Sequence, residues 1–166
     1  VDGNPWATIN VDLIGPWPVT IHVQEFTFHA LTIIDPVTNY CEIIRINNKS
    51  AQHVGLQLEN SWLSRYPRPI RCVFDQGGEF IGHEFISVLR RHGITPVATT
   101  AKNPQSNAVC ERLHLTVGNT LRTLLHFNPP NVLQDAMLLV DTALQTAAYS
   151  ARVVMHGTLK HSPGSL

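Results

Sequence analysis

The chain has 166 residues, of which 43% are hydrophobic and 14% charged, a composition that fits one folded domain and excludes disorder. Twelve basic residues balance twelve acidic ones, so the net charge carries no sign of a polyanionic ligand. The three cysteines are far apart and form no CxxC pair, which argues against a disulfide framework or zinc site and indicates a reducing compartment. No apolar run approaches the ~18 residues of a membrane span, so no membrane partner is expected. Because the chain begins at Val1 without an initiator Met, we expect residues 1–166 to be one domain excised from a longer polypeptide.

The first part of the chain has the patterns of β-strands. Residues 7–15 (ATINVDLIG) are short, β-branched and closed by Gly-Pro, which predicts a strand with Asp12 in its interior. Alternation over 19–23, resumed by aromatic and β-branched residues over 26–34, predicts a hairpin. Residues 40–46 (YCEIIRI) predict a third strand. Since only short connections join these strands, we expect them to be antiparallel.

Helices and strands alternate in the middle of the chain. Ser50 is the predicted N-cap of a helix that runs until Pro67. The apolar run 70–74 predicts a buried strand, which is reached through this helical crossover and is therefore expected to be parallel to its partner. A second helix, closed by Gly93, is predicted from the apolar spacing before it, and 94–97 predicts one more short strand.

Two long helices are predicted at the end of the chain, after a polar segment at 99–107. Over 106–125, apolar residues at helical spacing form a stripe that must face the core, namely Val109, Leu113, Val117, Leu121 and Leu124. Glu111 lies roughly opposite that stripe. The last helix is predicted over about 132–149, entered through a Pro-Pro pair.

Three acidic residues are candidate functional groups. Asp12 lies in an apolar strand, where an ionised carboxylate is costly unless it is paired, hydrogen-bonded or bound to metal; a strand-end acid facing solvent is the alternative. Asp75 follows an apolar strand and precedes Gln-Gly-Gly, at the strand end where open α/β sheets bind ligands, although an Asp-initiated turn explains it equally well. Glu111 alone is typical of a solvated helix face. Residues 76–110 separate Asp75 from Glu111, which gives the spacing D-x35-E.

The sequences around these acids resemble a known family. Asp12 in VDLIGPW, Asp75 in FDQGGEF and Glu111 in NPQSNAVCER are similar, in the same order, to the three signature blocks of retroviral and retrotransposon integrase catalytic cores. The resemblance covers nearly the whole chain. It implies an α/β, ribonuclease-H-like fold with a five-stranded mixed sheet of order 3-2-1-4-5 flanked by helices. Asp35 resembles the family's strand-end acid and is not expected to be catalytic.

The resemblance also implies that Asp12, Asp75 and Glu111 are the catalytic residues and the ligands of two divalent ions, Mg²⁺ or Mn²⁺. Unit charges ~4 Å apart at an effective dielectric of ~20 interact by ~4 kcal/mol, so three converging carboxylates need cations. Mg²⁺ prefers oxygen ligands, and two ions can activate a nucleophile and stabilise a leaving oxygen. The implied activity is a nuclease and strand transferase that processes retroelement DNA 3′ ends and joins them to target DNA.

Polar residues before the long helix and on its outer face are candidates for binding DNA, because they offer donors suited to phosphates and bases. These candidates are Lys102, Asn103, Gln105, Asn107, Arg112, His114 and Arg122. A plain polar loop and a solvated helix face are the alternatives. Ala108 stands where many relatives have glycine, and alanine favours helix over a flexible hinge.

The resemblance implies DNA as a partner, a homodimer or higher oligomer formed through the terminal helices, and a location in the host nucleus and in cytoplasmic retroelement particles. The family's zinc-binding N-terminal module and basic C-terminal module are expected to lie outside 1–166, which would explain the neutral charge. Two alternatives remain open. One is another ribonuclease-H-like nuclease or transposase, and the other is a domesticated, catalytically weak integrase-derived module that binds DNA or protein.

Overall fold

The structure is a computed structural model that describes residues 3–76, 80, 82–99 and 104–160, without the side chains of 105, 106 and 153–160. Its elements are, in chain order, β1 (Thr8–Ile21), β2 (Gln24–Ile34), β3 (Cys41–Ile46), α1 (Ala51–Leu58), β4 (Arg71–Asp75), α2 (His83–Arg91), β5 (Thr95–Thr99), α3 (Pro104–Phe127) and α4 (Leu133–Lys160). Helix α1 continues as a π-helical turn over Glu59–Leu63. None of the helices in the described part is long and apolar enough to cross a membrane.

The five strands form one mixed sheet in the order β3-β2-β1-β4-β5. β2 is antiparallel to both β1 and β3, while β4 is parallel to both β1 and β5. The expected sheet order 3-2-1-4-5 is therefore confirmed. The parallel half exists because α1 and α2 return the chain across the sheet before β4 and β5 begin.

Strand β1 is longer than predicted. It passes through Gly15 and continues to Ile21, with a register shift against β2 between Ile14 and Trp17. Gly15 has a φ of 123°, and a Cβ there would lie 2.9 Å from the carbonyl oxygen of Phe28. The prediction that the strand ends at Gly15 was wrong, because this glycine forms a bulge within the strand.

The helix boundaries agree in part with the sequence. The Ser50 hydroxyl accepts from the His53 N–H at 3.2 Å, which confirms the predicted N-cap of α1. Helix α3 already begins at Pro104, so the predicted polar segment is shorter than 99–107. Helix α4 continues to Lys160 instead of ending near residue 149, since its later turns contain good helix formers and no proline.

Helices cover both faces of the sheet, and each face has its own apolar core. On one face, side chains of β1, β2 and β3 pack against α3 and α4. On the other, Trp62, Phe85 and Leu89 of the helical crossovers pack against the same strands and β4. Leu113 and Val117 of the predicted stripe are buried, which confirms that this side of α3 faces the core. That packing determines which other side chains of α3 reach the sheet.

Candidate active site

A cavity of about 580 Å³ opens on the sheet beside the ends of β4 and β5. Side chains of β1 and β4 form its floor, while the start of α3 and the turn after β2 form its walls. Its lining includes Thr8, Asn10, Asp12, Thr32, Asn39, Arg71, Val73, Asp75, Thr99, Asn107 and Cys110. Two of the three predicted catalytic acids are thus in one cavity.

The register of the parallel strands explains why Asp12 and Asp75 are neighbours. Asn10 of β1 pairs with Val73 of β4. Asp12 and Asp75 each follow two residues later, so the alternation of side chains places them on the same face of the sheet. Both acids are half-buried and line the cavity.

Hydrogen bonds orient both carboxylates and the backbone behind them. Asp12 Oδ1 accepts from the Leu13 N–H at 2.8 Å, and Asp75 Oδ1 accepts from the Thr99 hydroxyl at 3.2 Å. The fully buried Thr32 hydroxyl donates to the Asp12 carbonyl oxygen at 3.1 Å. Thr32 is opposite Asp12 in the β1–β2 register, so the predicted hairpin contained the signal for this residue, which sequence reasoning missed.

Cys110 of α3 is the side chain that packs against the two acids. Its Sγ lies 3.9 Å from the Thr32 hydroxyl oxygen. Burial raises the pKa of the Cys110 thiol to about 12, and the negative charges of Asp12 and Asp75 raise it further. The thiol therefore stays protonated and neutral beside the carboxylates.

Glu111 occupies a different place from the one that the resemblance implies. Its side chain is exposed and is not part of the cavity lining. Because Leu113 and Val117 hold the apolar side of α3 against the sheet, Cys110 continues that buried stripe and the next residue turns outward. The helical spacing of Cys110 from the stripe was the signal that could have identified it.

Within the described ranges, no three His, Cys, Asp or Glu side chains form a group that could hold a metal ion. Asp12 and Asp75 nevertheless suit a hard divalent cation, since carboxylate oxygens are its preferred ligands and two adjacent anions repel without one. The protonated Cys110 offers no competing thiolate. The donor set thus fits Mg²⁺ or Mn²⁺ with two carboxylates, and a third has to come from outside this pair.

Asp35 has a structural environment instead. It is fully buried, and its carboxylate accepts from the Trp6 N–H at 3.0 Å, the Val37 N–H at 3.0 Å and the Thr38 hydroxyl at 2.9 Å. Its carbonyl oxygen accepts from the Asn39 N–H at 2.7 Å. Asp35 therefore organises the turn that forms one wall of the cavity.

The predicted DNA-binding residues near the start of α3 have different placements. Asn107 lines the cavity beside the acids. Gln105 is in the first turn of α3, with its side chain outside the described part. Lys102 and Asn103 lie outside the described residues.

The predicted outer face of α3 is only partly open to solvent. Arg112 and Arg122 are exposed, and the Arg122 guanidinium donates to Asn119 Oδ1. His114 is half-buried and stacks on Trp17, with ring centroids 5.1 Å apart. The Trp17 indole N–H also donates to the His114 carbonyl oxygen at 3.3 Å. His114 therefore joins α3 to the sheet, and the two arginines remain available to a ligand.

Comparison with known proteins follows the same pattern. The family model described as "Integrase core domain" matches residues 11–104, a segment that includes Asp12 and Asp75 and ends before Glu111. The Retrovirus-related Pol polyprotein from transposon 412 of Drosophila melanogaster is 30% identical over 115 residues, covering 69% of this chain and 9% of the polyprotein. Gypsy retrotransposon integrase-like protein 1 of Mus musculus is 28% identical over 109 residues, covering 63% and 20% of the two chains. The chain thus spans a small part of these relatives.

Solved structures with similar folds include three of retroviral proteins. The catalytic core domain of BIV integrase superposes with a TM-score of 0.60 at 19% identity, covering 97% of this chain and 88% of that one. The HTLV-2 integrase catalytic core in complex with magnesium, in a dimeric form, gives 0.60 at 16% identity and 86% coverage of both chains. A chain of the simian T-cell lymphotropic virus intasome gives 0.69 at 16% identity, with coverage of 96% and 56%. These similarities show the fold.

Proposed function

Since this chain belongs to the integrase core domain family, we propose that it is the catalytic core of a metal-dependent polynucleotidyl transferase, which trims the 3′ ends of retroelement DNA and joins them to target DNA. The observation that carries the proposal is the placement of Asp12 and Asp75 on adjacent parallel strands in one cavity, beside the helix that carries Glu111.

In this proposal Asp12 and Asp75 hold a divalent cation. Mg²⁺ or Mn²⁺, as a two-ion site in the active complex, would polarise the scissile phosphodiester and activate a water or a DNA 3′-hydroxyl. The protein's contribution is orientation, because the Leu13 N–H and the Thr99 hydroxyl already fix one oxygen of each acid. A carboxylate that is held before the ligand arrives loses less side-chain freedom on binding.

We assign the third carboxylate to Glu111. It follows Cys110, whose thiol already lies against both acids. Successive residues of a helix are about 100° apart around its axis, so a limited rotation at the start of α3 brings Glu111 toward the cavity. We expect this rotation to accompany binding of metal and DNA.

Strand transfer by the longer polypeptide that contains this domain tests the proposal. Asp12→Asn, Asp75→Asn and Glu111→Gln should each lower 3′ processing and strand transfer roughly a hundred-fold or more, since each removes several kcal/mol of transition-state stabilisation. Asp135→Asn, at an exposed acid of α4, is the matched control and should keep full activity. Activity equal to wild type in Asp12→Asn would overturn the proposed function.

A catalytically weak module that binds DNA or protein is the second candidate function. The exposed position of Glu111 and the lack of a three-ligand group in the described part favour it. Calorimetric titration with Mn²⁺ separates the two functions. An enzyme should bind Mn²⁺ in a way that Asp12→Asn abolishes, whereas the binding module should give the same trace for both proteins.

Partners and location extend the same proposal. We propose DNA as the ligand, with Arg112 and Arg122 among its contacts, and a homodimer or higher oligomer as the active assembly, tested by sedimentation velocity. Tagged protein should be found in the host nucleus and in cytoplasmic retroelement particles. Preferential cleavage of an RNA–DNA hybrid over retroelement DNA ends would instead indicate another ribonuclease-H-like nuclease.

A further inference from the structure

The cavity extends along β1 and β4, well beyond the two acids. Thr8 pairs with Arg71 in the parallel register, and Asn10 pairs with Val73. With the acids, alternate residues of the two strands form two parallel rows on one face of the sheet. All six line the cavity, namely Thr8, Asn10, Asp12, Arg71, Val73 and Asp75.

Arg71 is held at the far end of these rows. Its Nη1 donates to the Thr8 hydroxyl at 2.7 Å, and Thr8 itself is buried, with 5% of its surface exposed. The Arg71 side chain is half-buried. It is the one lysine or arginine among the described residues that line the cavity. One end of the cavity is therefore positive and the other negative.

This charge separation defines the ligand that fits. Four residues separate Arg71 from Asp75, and at ~3.3 Å per residue this is a span of about 13 Å between their Cα atoms. A small anion would occupy only the arginine end. A polynucleotide strand has a phosphate for each end, since Arg71 attracts one directly and the acids accept another through bound cations. Between them, Asn10 offers an amide and Val73 an apolar surface to sugar or base.

We propose that Arg71, oriented by Thr8, binds a backbone phosphate of the DNA strand whose scissile phosphate lies at Asp12 and Asp75. The inference rests on the proposed function and adds the path of the substrate, which runs along the seam between β1 and β4. Arg71 is then a binding residue that sets the register of the strand. Because it contacts phosphate, its effect is independent of base sequence.

Binding of single-stranded oligonucleotides to the longer polypeptide, measured by fluorescence anisotropy without divalent cations, tests this role apart from catalysis. Arg71→Gln should weaken binding roughly ten-fold, as expected for a hydrogen-bonded charge, and lower the slope of log K against log salt by about 0.7. Thr8→Val should give a smaller loss. Arg68→Gln, at an exposed arginine outside the cavity, is the matched control and should bind as wild type does.

Equal Kd and equal salt slope for Arg71→Gln and wild type, at equal melting temperature, would overturn the inference. If Arg71→Gln does not fold, Arg71→Lys gives the decision, because it keeps the charge but loses the planar guanidinium and should bind more weakly than wild type. The proposed function is judged separately by Asp12→Asn. Normal binding by Arg71→Gln together with inactive Asp12→Asn removes only the phosphate site, whereas active Asp12→Asn removes the proposed chemistry.

Discussion

Asp35→Asn tests whether the buried acid of the cavity wall is structural. Both oxygens of Asp35 are acceptors, Oδ1 from the Val37 N–H and Oδ2 from the Trp6 N–H and the Thr38 hydroxyl. An asparagine has one acceptor oxygen, so its NH₂ group must face a backbone N–H. At least one buried donor then loses its partner.

The cost follows from these contacts. Losing a hydrogen bond to a charged acceptor costs about 1.5–3 kcal/mol, and an orphaned buried donor costs about 1–3 kcal/mol, so about 3 kcal/mol is expected for Asp35→Asn. With a urea m-value of about 2 kcal/mol per M, the midpoint of unfolding should fall by about 1.5 M.

Urea unfolding followed by circular dichroism measures this midpoint. Glu25→Gln is the control, because Glu25 is an exposed acid at the start of β2, and its midpoint should move by less than about 0.3 M, the equivalent of ~0.5 kcal/mol. A midpoint for Asp35→Asn as high as that of wild type would refute the assignment of a structural role to this carboxylate.

Three further perturbations have defined outcomes. Trp17→Ala removes the buried ring that stacks on His114 and should lower the free energy of unfolding by about 3–5 kcal/mol, measured in urea. Gly15→Ala should cost about 1–3 kcal/mol in the same assay, because φ is positive and the added Cβ meets the Phe28 carbonyl oxygen. Burial raises the pKa of Cys41 from 9.0 to about 11. The unfolded thiol ionises first, so the stability from this thiol is fully present below pH 9 and falls as pH rises toward 11, by about 1.4 kcal/mol per pH unit. In Cys41→Ala, unfolding across this range should show a shallower decline by that amount.

Matched variants make these results specific. Leu115→Ala, on the exposed side of α3, should have little effect compared with Trp17→Ala. Gly3→Ala should be neutral, since a Cβ at Gly3 meets nothing within 4 Å. A Cys41→Ala protein that loses stability above pH 9 as steeply as wild type would contradict the alkaline prediction.

Much of the fold could be predicted from local patterns. Alternation identified the strands, helical spacing identified the stripe of α3 with Leu113 and Val117, and Ser50 marked the start of α1. These signals work because one turn of backbone geometry determines which residues share a face. The bulge at Gly15 escaped prediction because its cause is the approach of the neighbouring strand β2.

The candidate site divides along the same line. The identities and order of Asp12, Asp75 and Glu111, with their D-x35-E spacing, are properties of the amino-acid sequence alone. Tertiary structure decided that Asp12 and Asp75 share a cavity, that Cys110 packs beside them, and that Glu111 points to solvent. The physical reason is that the rotation of α3 about its axis is set by burial of its apolar side against the sheet, and this burial involves residues far apart in the chain.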